Sequence, residues 1–167
     1  MSNFKVFISH SNKENDNQLV NRIASGLRST GIRPYIAEKD RQPGCYICQK
    51  IQDNIEDSDV AIGIWTKNSK DSDYVKYEMG YADGCIPCFL LVEKGVRVFD
   101  PFQGREYIEF NPNDPTSGLS GVMETLKEMK KKKESDAFWG KVGIVAGVIA
   151  GAAAVYGAHK YLSSKKK

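Results

Sequence analysis

No glycine-rich phosphate loop follows the first apolar stretch of this chain, "FKVFISHSN" (4–12). Without a run of glycine backbone N–H groups to cradle a pyrophosphate, neither a Rossmann dinucleotide site nor a P-loop is indicated. A secretory pattern is also missing. "MSNFKVFISHS" enters a strand at once, with no long apolar run behind a basic end. From that start the globular part is expected in the cytosol. Excess positive charge is absent where the sequence is globular. The net +3 divides into −4 over 1–129 (15 Lys and Arg against 19 Asp and Glu) and +7 over 130–167 (nine Lys against two acids). A mildly acidic domain argues against nucleic acid as a partner. Cysteines are few: Cys45-x-x-Cys48 and Cys85-x-x-Cys88. Such spacing is a zinc-ribbon cue, but a structural zinc needs all four thiolates to converge. The order of elements puts the two pairs on opposite rims of a sheet. Reduced, half-buried cysteines and no metal site are expected.

What is present is a chain of 167 residues, long enough for one domain with its own core and a small appendage. "FKVFIS" (4–9) reads as a strand. A helix capped by Asp16 follows, with Leu19, Val20, Ile23, Ala24 and Leu27 on one face and Gly31 as its stop. "RPYIA" (33–37) is a second strand, and "EKDRQPG" (38–44) a charged loop. Ile47, Ile51 and Ile55 mark the next helix. "DVAIGIW" (59–65) is a strand apolar on both faces. Ser72 then caps a helix, and "IPCFLLV" (86–92) is a fourth strand. An irregular loop leads to "REYIEF" (105–110) and to a helix carrying Leu119, Val122, Met123, Leu126 and Met129. Strand and helix alternate five times, the pattern of a parallel sheet with helices on both faces. Ligands of such sheets bind outside the carboxyl ends of the strands. Three polar loops lie there: 9–16, 38–44 and 66–73.

The helix after Ser72 reads "DYVKYEMGYADG". Val75, Met79 and Ala82 form its apolar stripe. Tyr74, Glu78 and Tyr81 fall on a neighbouring stripe, a carboxylate between two rings. On periodicity alone such a glutamate is ordinarily solvated. Ser9 and Ser11 read as loop caps. The adjacency of Ser9, His10 and Ser11 is no catalytic triad, because a triad needs geometry between separated residues.

Three stretches together resemble the TIR domain family, in particular its NAD-cleaving branch in prokaryotic immune and related proteins. "VFISHSNKEND" resembles the first family box. "GIRPYIAEKDRQPG" (31–44) resembles the second strand and the BB loop. "SKDSDYVKYEMGYA" (69–82) resembles the stretch in which a catalytic glutamate follows an aromatic by four residues. The resemblance covers 4–130. It implies a flavodoxin-like α/β fold with a five-stranded parallel sheet. It also implies Glu78 as the catalytic residue and NAD+ as substrate, with no cofactor. Substrate-binding positions would be Tyr74 (where the family usually has Trp), Tyr46, His10, Ser11, Lys39 and Gly44. The chemistry is coherent. Nicotinamide leaves neutral, so no general acid is needed, and one carboxylate beside the ribose stabilises the developing oxocarbenium charge. The products expected are those of hydrolysis or of cyclisation to a nucleotide messenger. A TIR interaction module without catalysis is the alternative in which Glu78 is incidental.

The C-terminus is a different material. Residues 142–158 carry no charge, and about 25 Å of helix is the lower limit for a membrane span. Phe138, Trp139, Tyr156 and Tyr161 suit interfacial belts. Gly143, Gly147 and Gly151 recur at four-residue spacing, the pattern that lets helices approach closely in lipid. The expected organisation is a TIR domain (1–130), a basic linker (131–137), a transmembrane helix (138–162) and a basic tail (163–167). The expectation is a single-pass membrane protein, its TIR domain on the cytoplasmic side, self-associating through TIR and glycine-face contacts. A membrane-disrupting effector built on the glycine repeat is a further alternative.

Overall fold

A computed structural model describes residues 4–36 and 47–134. The elements run β1 (Lys5–Ser9), α1 (Glu14–Ser29), β2 (Arg33–Ile36), α2 (Ile47–Glu56), β3 (Val60–Trp65), α3 (Asp73–Cys85), β4 (Cys88–Glu93), β5 (Ile108–Phe110) and α4 (Thr116–Glu134). All strands pair in parallel, in the order β2-β1-β3-β4-β5. The chain steps one way from β1 to β2 and the other way thereafter. Right-handed crossovers then require α1 on one face and α2 and α3 on the other.

The buried residues divide accordingly. Val6, Ile8, Val60, Ile62, Ile64 and Leu91 meet Ile23 and Leu27 of α1 and Val122 and Leu126 of α4. Phe7, Ala61, Trp65, Leu90 and Val92 meet Ile55 of α2 and Val75, Met79 and Ala82 of α3. Strand alternation dictates this split, because successive side chains leave opposite faces. It also decides the site: Ser9 and Gly63 share the α3 face with Phe7 and Ala61.

The passage from β4 to β5 is the irregular loop expected. Gly95 and Gly104 sit at φ +82° and +81°, where a helix cannot continue, and Pro101 lies between them. Val98 and Phe102 fill that face instead, and Trp65 donates its Nε1–H to the Arg97 carbonyl at 2.9 Å. One local expectation changes: Asp16 does not cap α1. Lys13 is the N-cap, and its side chain makes no capping bond; Asp16 lies inside the first turn and is buried. Ser72 does cap α3, accepting from the Val75 N–H at 3.4 Å.

α4 runs on through the lysines to Glu134. Lys130 donates to the Thr30 and Gly31 carbonyls, at 3.1 and 3.3 Å, just past the negative end of α1. Lys133 pairs with Asp59, directly before β3. Among the described residues no helix is long and apolar enough to cross a membrane. The expected span at 138–162, with Gly143, Gly147 and Gly151, lies outside the described residues.

Cys85 closes α3 and Cys88 opens β4, both as free thiols. Cys45 lies outside the described residues, as does the side chain of Cys48. Among the described residues no cluster of His, Cys, Asp and Glu could hold a metal. Burial, and then the Asp83 carboxylate that accepts from its Sγ at 3.6 Å, pushes the Cys88 thiol up from 9.0 to about 12. Iodoacetamide at pH 8 should therefore label Cys85 in the folded protein and spare Cys88 until unfolding, as read by peptide mass mapping. Because the folded value is the higher one, Cys88 contributes stability that is complete below pH 9 and lost as pH rises towards 12. Cys88→Ala should flatten that alkaline decline.

Candidate active site

In α3 the residues Val75, Glu78, Met79 and Ala82 are all buried. Their spacing of i, i+3, i+4 and i+7 is one helical stripe, so Glu78 belongs to the face that packs on the sheet. Only 6% of it is exposed. A buried carboxylate is costly unless hydrogen-bonded. Ser9, the last residue of β1, donates its Oγ–H to Glu78 Oε2 at 2.5 Å. Ser9 pairs with Gly63 of β3. Glu78 therefore stands at the carboxyl ends of β1 and β3, where the chain direction across the sheet reverses. That switch point is the ligand position of open α/β sheets.

The loops on either side are tied together through a second buried carboxylate. Asp16 accepts from Ser11 Oγ in the β1–α1 loop. From the β3–α3 loop it accepts Thr66 Oγ1, at 3.0 and 2.9 Å from its two oxygens, and Asn68 Nδ2 at 3.3 Å. Ser69, fully buried, donates to the Ile64 carbonyl at 2.9 Å and accepts from the Thr66 N–H at 2.6 Å. Glu93 at the end of β4 accepts from the Lys67 N–H at 3.0 Å and pairs with its ammonium at 3.1 Å. The rim that carries Glu78 is thus built from two cross-linked loops.

His10 lies between Ser9 and Ser11 and is buried. Its Nδ1 is 2.7 Å from the Ser11 carbonyl oxygen, an acceptor, so Nδ1 carries the proton. Nε2 is enclosed and without a protein partner among the described residues.

The sequence model of the TIR domain family matches residues 6–122. This chain belongs to the TIR domain family. Its fold is shared with the TIR domain of the Toll-related receptor TRR-2 from Hydra magnipapillata, at 15% identity and TM-score 0.62, over 73% of this chain and 97% of that one. A prokaryotic SEFIR domain is similar at 16% identity and TM-score 0.58, over 73% and 91%. A 2-deoxyribosyltransferase from Bacillus psychrosaccharolyticus is similar at 17% and 0.53, over 65% and 88%. No curated protein sequence matches the chain.

In this TIR domain Glu78, His10 and Ser11 come together at the carboxyl rim, while the Ser11 hydroxyl is committed to Asp16. Tyr74 lies one turn before Glu78 and is 63% exposed, its ring open to solvent. Lys39, Gly44 and Tyr46 lie outside the described residues. Tyr81, Glu78's other sequence neighbour on the aromatic stripe, turns away from the rim. Its hydroxyl donates to Glu56 of α2, which holds the phenol above the ordinary range. Tyr77 accepts from Gln52 of α2 at 2.8 Å. These rings strap α3 to α2 rather than enclose a substrate. Ser9 and Asp16 are the site residues that sequence reasoning passed over. A groove of about 650 Å³ between α1 and α4, floored by Ile23, Gly26, Leu119 and Met123, lies on the opposite face of the sheet from Glu78.

Proposed function

We propose that this TIR protein cleaves the nicotinamide–ribose bond of NAD+, at a membrane and when clustered, in prokaryotic immunity or cell-death signalling. One observation carries the catalytic part: a buried carboxylate, Glu78, held by Ser9 at the switch point of the sheet. In this reading Glu78 lies beside the ribose. It accepts hydrogen bonds from the ribose hydroxyls and meets the positive charge that grows at the anomeric carbon as nicotinamide departs. Water then adds to that carbon and loses a proton, giving ADP-ribose. Tyr74 offers its exposed ring for stacking. His10, Lys39, Gly44 and Tyr46 are the further substrate contacts of this reading. Purified protein incubated with NAD+, with nicotinamide release followed, tests the reading. Absence of release at high protein concentration would leave a TIR interaction module.

The membrane part rests on the uncharged stretch 142–158 and its glycine spacing. Three proteins test it by fractionation and crosslinking: the full chain, a truncation before Phe138, and Gly147→Ile. The truncation should be soluble, because residues 4–134 hold the sheet and both cores. Gly147→Ile should stay in the membrane fraction yet crosslink less, since a branched side chain prevents close backbone approach. A full chain soluble without detergent would sink the anchor. Undiminished crosslinking of Gly147→Ile would sink the glycine face.

A further inference from the structure

β3 reads Val-Ala-Ile-Gly-Ile-Trp, with every residue buried. A glycine inside a central strand loses more chain entropy on folding than any other residue and contributes no side chain to packing. Here no special backbone conformation requires it, since Gly63 is not among the positive-φ glycines. The reason lies above it. A Cβ on Gly63 would stand 2.8 Å from Met79 Cγ, 3.0 Å from Met79 Sδ and 2.6 Å from Leu90 Cδ2. The Leu90 methyl and the stem of Met79 share the volume that any other residue's Cβ would take; the methyl is the free end of a side chain and can turn aside, whereas the Met79 stem is fixed to α3. Met79 follows Glu78 directly in α3, and Ser9 is Gly63's partner across the β1–β3 ladder.

We propose that Gly63 is a positioning residue: its missing side chain lets α3 settle onto β3 at the height at which Glu78 meets the Ser9 hydroxyl. A larger residue would lift Met79, and Glu78 with it, away from the end of β1. The inference rests on the reading of Glu78 as the catalytic carboxylate. A misplacement of about 1 Å at a catalytic group is enough to cost on the order of 10²-fold in rate.

The test compares Gly63→Ala, the double variant Gly63→Ala/Met79→Ala, and Gly118→Ala. Gly118 is the control because a Cβ there would press on Phe110 Cβ at 2.4 Å, a conflict at least as severe, between α4 and β5 at the far edge of the sheet. Two readouts are taken: kcat and KM for NAD+, and the 13C resonance of the Glu78 side-chain carboxyl, with Ser9→Ala as reference. Gly63→Ala should lower kcat about tenfold, with KM within about twofold. It should also move the Glu78 resonance towards its position in Ser9→Ala. The double variant removes the obstructing stem and should restore kcat to within about threefold of the parent. Gly118→Ala should be less stable but keep both kcat and the resonance. An unmoved Glu78 resonance in Gly63→Ala overturns the inference, and so does an equal loss of kcat in Gly118→Ala. If the parent releases no nicotinamide, the catalytic reading fails, and the resonance alone still decides whether Gly63 seats Glu78.

Discussion

Glu78→Gln should lower the rate of nicotinamide release by about 10²-fold or more, with KM little changed. Glutamine keeps the length and planarity of the side chain, and its carbonyl still accepts the Ser9 hydroxyl that now bonds Oε2 at 2.5 Å. What it removes is the negative charge, needed only when positive charge appears on the ribose. An interaction made in the transition state and not in the ground state affects kcat. Burial sharpens the contrast, because the surrounding apolar residues Val75, Met79 and Ala82 screen that charge far less than water does. Folding should be unaffected: an amide is cheaper to bury than a carboxylate, so thermal unfolding should come no lower than in the parent. Nicotinamide release from the two proteins under saturating NAD+ measures the effect. Equal rates would remove Glu78 from the chemistry.

The sheet was legible in the sequence because its signals are local. The short apolar stretch at 4–9 and the apolar runs at 59–65 and 86–92 each announce a strand from side chains alone. Gly31, Ser72 and the 3.6-residue stripes bound the helices in the same way. The site was legible only by resemblance. Glu78 looks solvated if Val75, Met79 and Ala82 are taken as the whole stripe. Adding it completes the i, i+3, i+4, i+7 set, and a charge inside such a set is the signal that a buried site exists. Its partner was hidden for a different reason. Ser9 and Glu78 are 69 residues apart, and their meeting depends on the β1–β3 pairing, which no local pattern encodes. Asp16 misled by type. Aspartate is a preferred N-cap, but the extended residue here is Lys13 (φ −93°, ψ 146°), which leaves Asp16 in the first turn, free to serve the loops. Tyr81 likewise reads only as one of two rings flanking Glu78 until α2 is placed beside it, whereupon Glu56 claims its hydroxyl.

Asp16→Ala should destabilise the domain by about 2–4 kcal/mol, the largest loss expected from any single polar side chain of the rim. The carboxylate is 2% exposed and accepts from Ser11, Thr66 and Asn68, so truncation strands three donors in places that water scarcely reaches. It also removes a negative charge from the first turn of α1, where the helix dipole favours one. Asp16→Asn is the informative comparison. Its Oδ1 can still accept from Thr66, and the Ser11 hydroxyl can rotate to accept from Nδ2. The loss should then be about 1 kcal/mol. Urea unfolding of the three proteins gives both values. Amide exchange tells where the loss falls. Asn68 and Ser69 donate their N–H groups to Thr66 Oγ1 at 3.1 and 3.2 Å, and they should exchange faster in Asp16→Ala, because Thr66 is then no longer anchored to α1. The Lys67 N–H should lose less protection, since its acceptor is Glu93 on β4. If Asp16→Ala and Asp16→Asn lose the same small amount, the carboxylate is not what joins the two loops, and the rim around Glu78 is held by packing alone.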